Sequence, residues 1–191
     1  MNVGGISTNY SAAYDAEKVQ KVGATGDFAE KITEAAQAGG TATTVAAHGS
    51  DDESGDVAVF RVLYTNSGIK YTVYKTQDFS PENPIYKVKI WDSEENMTER
   101  MIDASKVNPR NSDTFEMEVY AAYLMETGKG SFEDTVNRVS TAKSGANSSA
   151  VWDYSQKVNW VEAVRNVMQS VYNYGDLKGY MEWKKFLSFL E

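Results

Sequence analysis

"VAVFRVLYTNSGIKYTVYKT", residues 57–76, decides how the middle of this chain folds. The run is dense in β-branched and aromatic side chains, which suit a pleated, half-buried surface. Within it Ile69, Tyr71 and Val73 alternate with Lys70, Thr72 and Tyr74, and "TNSG" supplies turn residues between two strand-like halves. A hairpin is predicted. Past the Pro-bounded loop "QDFSPENP" (77–84), "IYKVKIWD" (85–92) sets Tyr86, Val88 and Ile90 on one face and Lys87 and Lys89 on the other. In "MTERMIDASKV" (97–107) Met97 and Met101 also stand at helical spacing, but the loop "DSEEN" before it and Pro109 after it favour a fourth strand. The expectation is a small antiparallel sheet of three to four strands over about residues 57–107.

Beyond residue 108 the period lengthens to that of helices. In "NPRNSDTFEMEVYAAYLM" (108–125) two carboxylates, Asp113 and Glu116, stand three apart where a turn runs into an apolar segment. Asp113 at the boundary can accept a backbone N–H of the first turn while Glu116 reaches back, so the pair reads as a capping box, not as an acid pair for catalysis. Phe115, Val119, Ala122 and Tyr123 make one stripe and Met117, Tyr120 and Leu124 another, which marks this helix as central. A second helix is read over residues 131–143, with Phe132, Val136 and Val139 in register. After "SGANSS" a third carries Trp160, Val164, Val167 and Val171 up to Gly175, and "DLKGYMEWKKFLSFLE" closes the chain with Tyr180, Trp183, Leu187 and Leu190 on one side. Strands followed by helices define an α+β class: a sheet, then a four-helix layer over about residues 113–190.

Residues 57–191 are therefore read as a single α+β domain, and residues 1–56 as a Gly/Ala-rich N-terminal arm. One helix is predicted inside the arm at residues 27–38: Asp27 is the N-cap, Glu30 completes a capping box, Phe28, Ile32 and Ala35 share a face, and Gly39 ends it.

Composition narrows the function classes. A chain of 191 residues supports one compact core. With no cysteine, disulfides, thiolate metal sites and thiol nucleophiles are ruled out. A net charge of -8 disfavours nucleic-acid and anionic-membrane partners, both of which need a basic patch. "MNVGGISTNYSAAY" lacks the basic and apolar regions of a Sec signal peptide, so a cytoplasmic location is expected, with signal-less export as the open alternative.

Chemical motifs are few. "GKGS" (128–131) looks like part of a phosphate loop, yet a helix precedes it where a strand is required; Gly128 as a helix end and Ser131 as the next helix start account for it. "HGSDDESGD" (48–56) gathers the single histidine with four acids, but Val57 follows where a calcium loop needs glycine and Leu63 stands where its bidentate Glu belongs. A solvated acidic linker is the reading. Any Ser-His-Asp arrangement would have to use His48. No catalytic, cofactor-binding or metal-ligating residue is assigned.

Two stretches, "DASKVNPRNSDTFEMEVYAAYL" and "NYGDLKGYMEWKKFLSFL", resemble segments of small uncharacterised α+β protein families of Gram-positive gut anaerobes, and "MNVGGISTNYSAAY" is similar to the Gly-Ile-Ser openings of those proteins. The opening also looks like those of some flagellar rod and hook components, though the long paired terminal heptads of those proteins are absent. The resemblance implies an α+β architecture and carries over no functional residue.

The functional expectation is a non-enzymatic interaction or self-assembly protein, its partner another protein or a second copy. A surplus of C-terminal aromatics motivates it, and Trp152, Trp160, Tyr174, Tyr180 and Trp183 form the candidate patch. Two alternatives stand beside it: a small carboxylate-based hydrolase or ligand-binding domain with its pocket between sheet and helices, and an acidic inhibitor or immunity-type protein.

Overall fold

The computed structural model of this chain describes residues 42–46, 54–64, 68–146 and 154–191. The predicted helix at 27–38, His48 and Trp152 lie outside those residues. Five strands, β1 (Ala42–Ala46), β2 (Val57–Tyr64), β3 (Lys70–Lys75), β4 (Ile85–Trp91) and β5 (Met97–Asp103), form one antiparallel sheet in the order β1-β2-β3-β4-β5. A 3-10 turn at Ala104–Lys106 leads to four helices: α1 (Thr114–Glu126), α2 (Val136–Ala146), α3 (Trp160–Asn173) and α4 (Leu177–Leu190). This is the expected α+β layout with one strand added. The extra strand, "ATTVA", pairs with β2 from Ala42 opposite Tyr64 to Ala46 opposite Phe60. Its β-branched residues suit a strand, but flanking glycines and alanines gave it the look of linker.

In an antiparallel ladder directly opposed residues share a face. Tyr71 and Lys75 reach Glu118 and Glu126 of α1, so these positions, Val73, and their β4 partners Ile90, Val88 and Tyr86 face the helices. Lys70, Thr72 and Tyr74 face the other way, opposite Trp91, Lys89 and Lys87. A bulge in β2 explains why "VAVF" does not alternate: Ala58 pairs with Tyr74 and Phe60 with Val73, which leaves Val59 as the extra residue and all three buried.

The core lies between this sheet and the helices. Phe60, Val62, Tyr71, Val73, Tyr86 and Val88 meet Phe115, Met117, Val119 and Ala122 of α1, and Val136, Val139, Trp160, Val164, Trp183 and Phe186 of the other helices close it. Helix α1 is buried over most of its circumference, as its double stripe requires. Its start is the predicted capping box: Glu116 N donates to Asp113 Oδ1 at 3.0 Å and Asp113 N donates to Glu116 Oε2 at 2.9 Å. Its end is a left-handed Gly128 (φ 73°), with Lys129 N bonded to Leu124 O at 2.9 Å. Helix α2 starts at Val136, later than the spacing from Phe132 suggests. Asn137 N bonds Phe132 O at 3.1 Å across five residues, so the chain from Ser131 is a widened turn that delivers the Phe132 ring edge-on to Phe60 at 6.2 Å.

Candidate functional site

The most unusual chemistry lies inside the core. Glu118 of α1 interrupts an apolar helix face and is 1% exposed; Lys143 of α2 is 4% exposed. Lys143 Nζ stands 3.0 Å from Glu118 Oε1. Tyr71 of β3 donates its hydroxyl to Glu118 Oε2, Tyr64 at the end of β2 lies 3.5 Å from Oε1, and Lys143 also donates to Tyr64. The ammonium stands over the rings of Tyr64 (4.5 Å) and Tyr154 (5.6 Å), and those two rings pack at 4.7 Å. Tyr71 in turn meets Phe115 edge-on at 5.1 Å.

Removal from water disfavours both charges, so burial pushes the Glu118 carboxyl well above the ordinary carboxylate range and the Lys143 amine well below the ordinary amine range. The distance is that of an ion pair, whereas burial favours the neutral acid and amine. These forms differ only in the place of one proton along a 3.0 Å contact, and the pair is net neutral in either. An acid and an amine so tuned are the inventory of proton transfer. Here both are almost wholly enclosed by the fold, and the pair ties α1, α2, β2 and β3 into one arrangement.

A second ionic cluster secures the start of α1. Arg100 of β5 bonds Asp113 Oδ2 at 3.0 Å, and Lys157 bonds Glu116 Oε2 at 2.5 Å and Asp113 Oδ2 at 3.4 Å. The Glu116 hydrogen bond holds the Lys157 ammonium above its ordinary range. Every oxygen of this carboxylate pair has a structural partner, which leaves neither acid available as a catalyst. Among the described residues no group of three or more His, Asp or Glu could hold a metal ion, and no helix is long and apolar enough to cross a membrane.

Of the expected aromatic patch, Trp152 lies outside the described residues and the other four are separated by the structure. Trp160 and Trp183 are core residues at 1% and 4% exposure, which removes them from any surface patch. The Trp160 indole donates to Ser112 O at 2.9 Å, and Trp183 packs on Phe186 with the Arg138 guanidinium 4.8 Å from its ring. Tyr174 is 90% exposed, and Tyr180 is half-buried with its ring 5.7 Å from that of Tyr172. Around them, at the turn between α3 and α4, Tyr172, Leu177 and Met181 are also more than half exposed. Leu177 and Met181 were missed by the sequence reading, because both fall off the stripe of Tyr180, Trp183, Leu187 and Leu190 on a helical projection, towards the face away from the core.

The fold and these sites define an acidic α+β protein with a meander sheet backed on one face by four helices. No family model, characterised protein or solved structure matches the chain.

Proposed function

We propose that this chain is a non-enzymatic interaction protein that associates, with another protein or with a second copy, through the turn joining α3 and α4. The supporting observation is the gathering of Tyr172, Tyr174, Leu177 and Met181, each more than half exposed, within ten residues around Gly175. Large apolar side chains grouped on a surface mark contact sites, and tyrosine is the kind of amphipathic anchor that dominates binding energy. The hydrolase alternative finds less support. The buried acids Glu118, Asp113 and Asp56 are each engaged by a cation of the fold.

Sedimentation velocity over a hundredfold concentration range, together with capture of tagged protein from the cells that make it, tests the proposal. The expected result is an association or a captured protein that is lost in the Tyr174→Ser, Leu177→Ser double variant. A monomer that captures nothing, or a complex indifferent to both substitutions, defeats it.

A further inference from the structure

The helices cover one face of the sheet; the opposite face carries a pocket of about 350 Å³ whose walls include Arg61, Leu63, Lys70, Thr72, Tyr74 and Trp91. That volume lies within the range of small-molecule sites, roughly 300–1,000 Å³. Its chemistry departs from that of the chain as a whole. The protein has 27 acids against 19 bases, yet the described lining contains two cations and no carboxylate. Three of its residues, Tyr71, Tyr74 and Trp91, are aromatic, in the pattern of an apolar wall with a few fixed polar groups.

Three hydrogen-bonding groups on this lining are unused. The Thr72 hydroxyl, the Tyr74 hydroxyl and the Trp91 indole N–H have no hydrogen-bond partner among the described residues, although Thr72 and Tyr74 are only 5% and 7% exposed. Unlike the Tyr86 hydroxyl, which is closed off, these groups remain open to water on the pocket side. All three can donate, so acceptor atoms of a ligand can take the place of that water. Lys70 stands 5.9 Å from the Trp91 ring centre and is held by Glu95 at 2.5 Å, with the two side chains 39% and 71% exposed. So exposed an ion pair contributes little and is readily exchanged for another anion. Arg61, which has other interactions in the chain, adds positive charge to the same wall.

We propose that this pocket binds a small organic anion bearing a planar ring: the ring lies against Trp91, the acid group replaces Glu95 on Lys70, and further acceptor atoms take the Thr72 and Tyr74 hydroxyls. Ring stacking and charge act together here, so a ligand with only one of the two features binds much more weakly.

Proton–nitrogen correlation spectra of the full-length chain provide the test, with the Trp91 indole signal identified by its loss in Trp91→Phe. The probe is 1-naphthyl phosphate, with 1-naphthol (ring without charge) and inorganic phosphate (charge without ring) as controls. A saturable shift of the Trp91 signal is expected, at a concentration at least about tenfold lower than for either control. Lys70→Gln should weaken that binding by about tenfold, and Thr72→Val, which keeps the shape but not the hydroxyl, by several-fold, about 1 kcal/mol. Three results would overturn the proposal: a Trp91 signal that never responds, as when the chain's own residues fill the pocket; equal binding of 1-naphthol; or binding unchanged by Lys70→Gln.

Discussion

Breaking the Glu118–Lys143 pair one partner at a time should tilt the pH dependence of stability in opposite directions. Between the ordinary pKa values of 4.5 for Glu and 10.5 for Lys, the unfolded pair holds one proton, on the lysine. The folded pair also holds one, wherever it resides, so the intact pair contributes no slope across that window. In Lys143→Met, Glu118 stands alone with its folded pKa raised by burial. Folding then takes up a proton, and the associated stability is full below 4.5 and lost as pH rises towards the folded value. In Glu118→Gln, Lys143 stands alone with its folded pKa lowered. Folding releases a proton, and the associated stability is full above 10.5 and lost as pH falls towards the folded value. Each slope reaches about 1.4 kcal/mol per pH unit, so between about pH 6 and about pH 8 the two variants move apart by up to about 5 kcal/mol. Each single variant also loses about 3–5 kcal/mol by leaving a buried partner behind, whereas the double variant recovers most of that loss. Urea unfolding followed by the fluorescence of the buried Trp160 and Trp183 at several pH values measures both effects. Flat profiles in both single variants would refute the reasoning, because they would mean that burial does not control these protons.

Three further outcomes are expected. The Tyr86 hydroxyl is buried without a hydrogen-bond partner, and burial raises its pKa, so Tyr86→Phe should stabilise the fold by about 1 kcal/mol in urea melts; a loss of stability would reveal a partner for that oxygen. Asp113→Asn keeps the helix cap but weakens the contacts to Arg100 and Lys157, while Asp113→Ala removes both, so the alanine variant should be the less stable of the two by about 1 kcal/mol. Equal thermal midpoints would deny the cap any energetic role. Replacing Tyr174 and Leu177 by serine, both largely exposed, should leave the urea midpoint within about 0.5 kcal/mol of the parent while abolishing association; an unfolded variant would mean that the turn is structural.

β3 and β4 were legible from their two-residue period, β2 from its β-branched and aromatic density and β5 from the turn and proline that flank it, and the start of α1 because Asp113 and Glu116 satisfy backbone groups that only a helix leaves open. β1 was not legible: a five-residue strand among small residues takes its stability from the neighbour it pairs with, which local composition does not report. Glu118 escaped notice because a lone charge inside an apolar stripe looks like an ordinary helical Glu until its partner is located. The signal was nonetheless present, since Lys143 interrupts the Val136, Val139 and Ala142 face of α2 in the same way with the opposite sign. The aromatic patch shows the limit of counting. A surplus of rings says that some must be exposed, but it took the turn at Gly175 to show that Tyr172 and Tyr174 are the exposed ones while Trp160 and Trp183 are buried.

The meander has a kinetic consequence. Every pair of adjacent strands is also adjacent in sequence, so the sheet can zip up hairpin by hairpin with only short loops to close. The contacts that fasten the helices to it span far more chain: Tyr71 to Glu118 across 47 residues and Tyr64 to Lys143 across 79. Neither Glu118 nor Lys143 can leave water cheaply without the other, so α1 and α2 must arrive over the two tyrosines together. Fastening the helices to the sheet therefore carries the joint dehydration of two side chains that share a single proton.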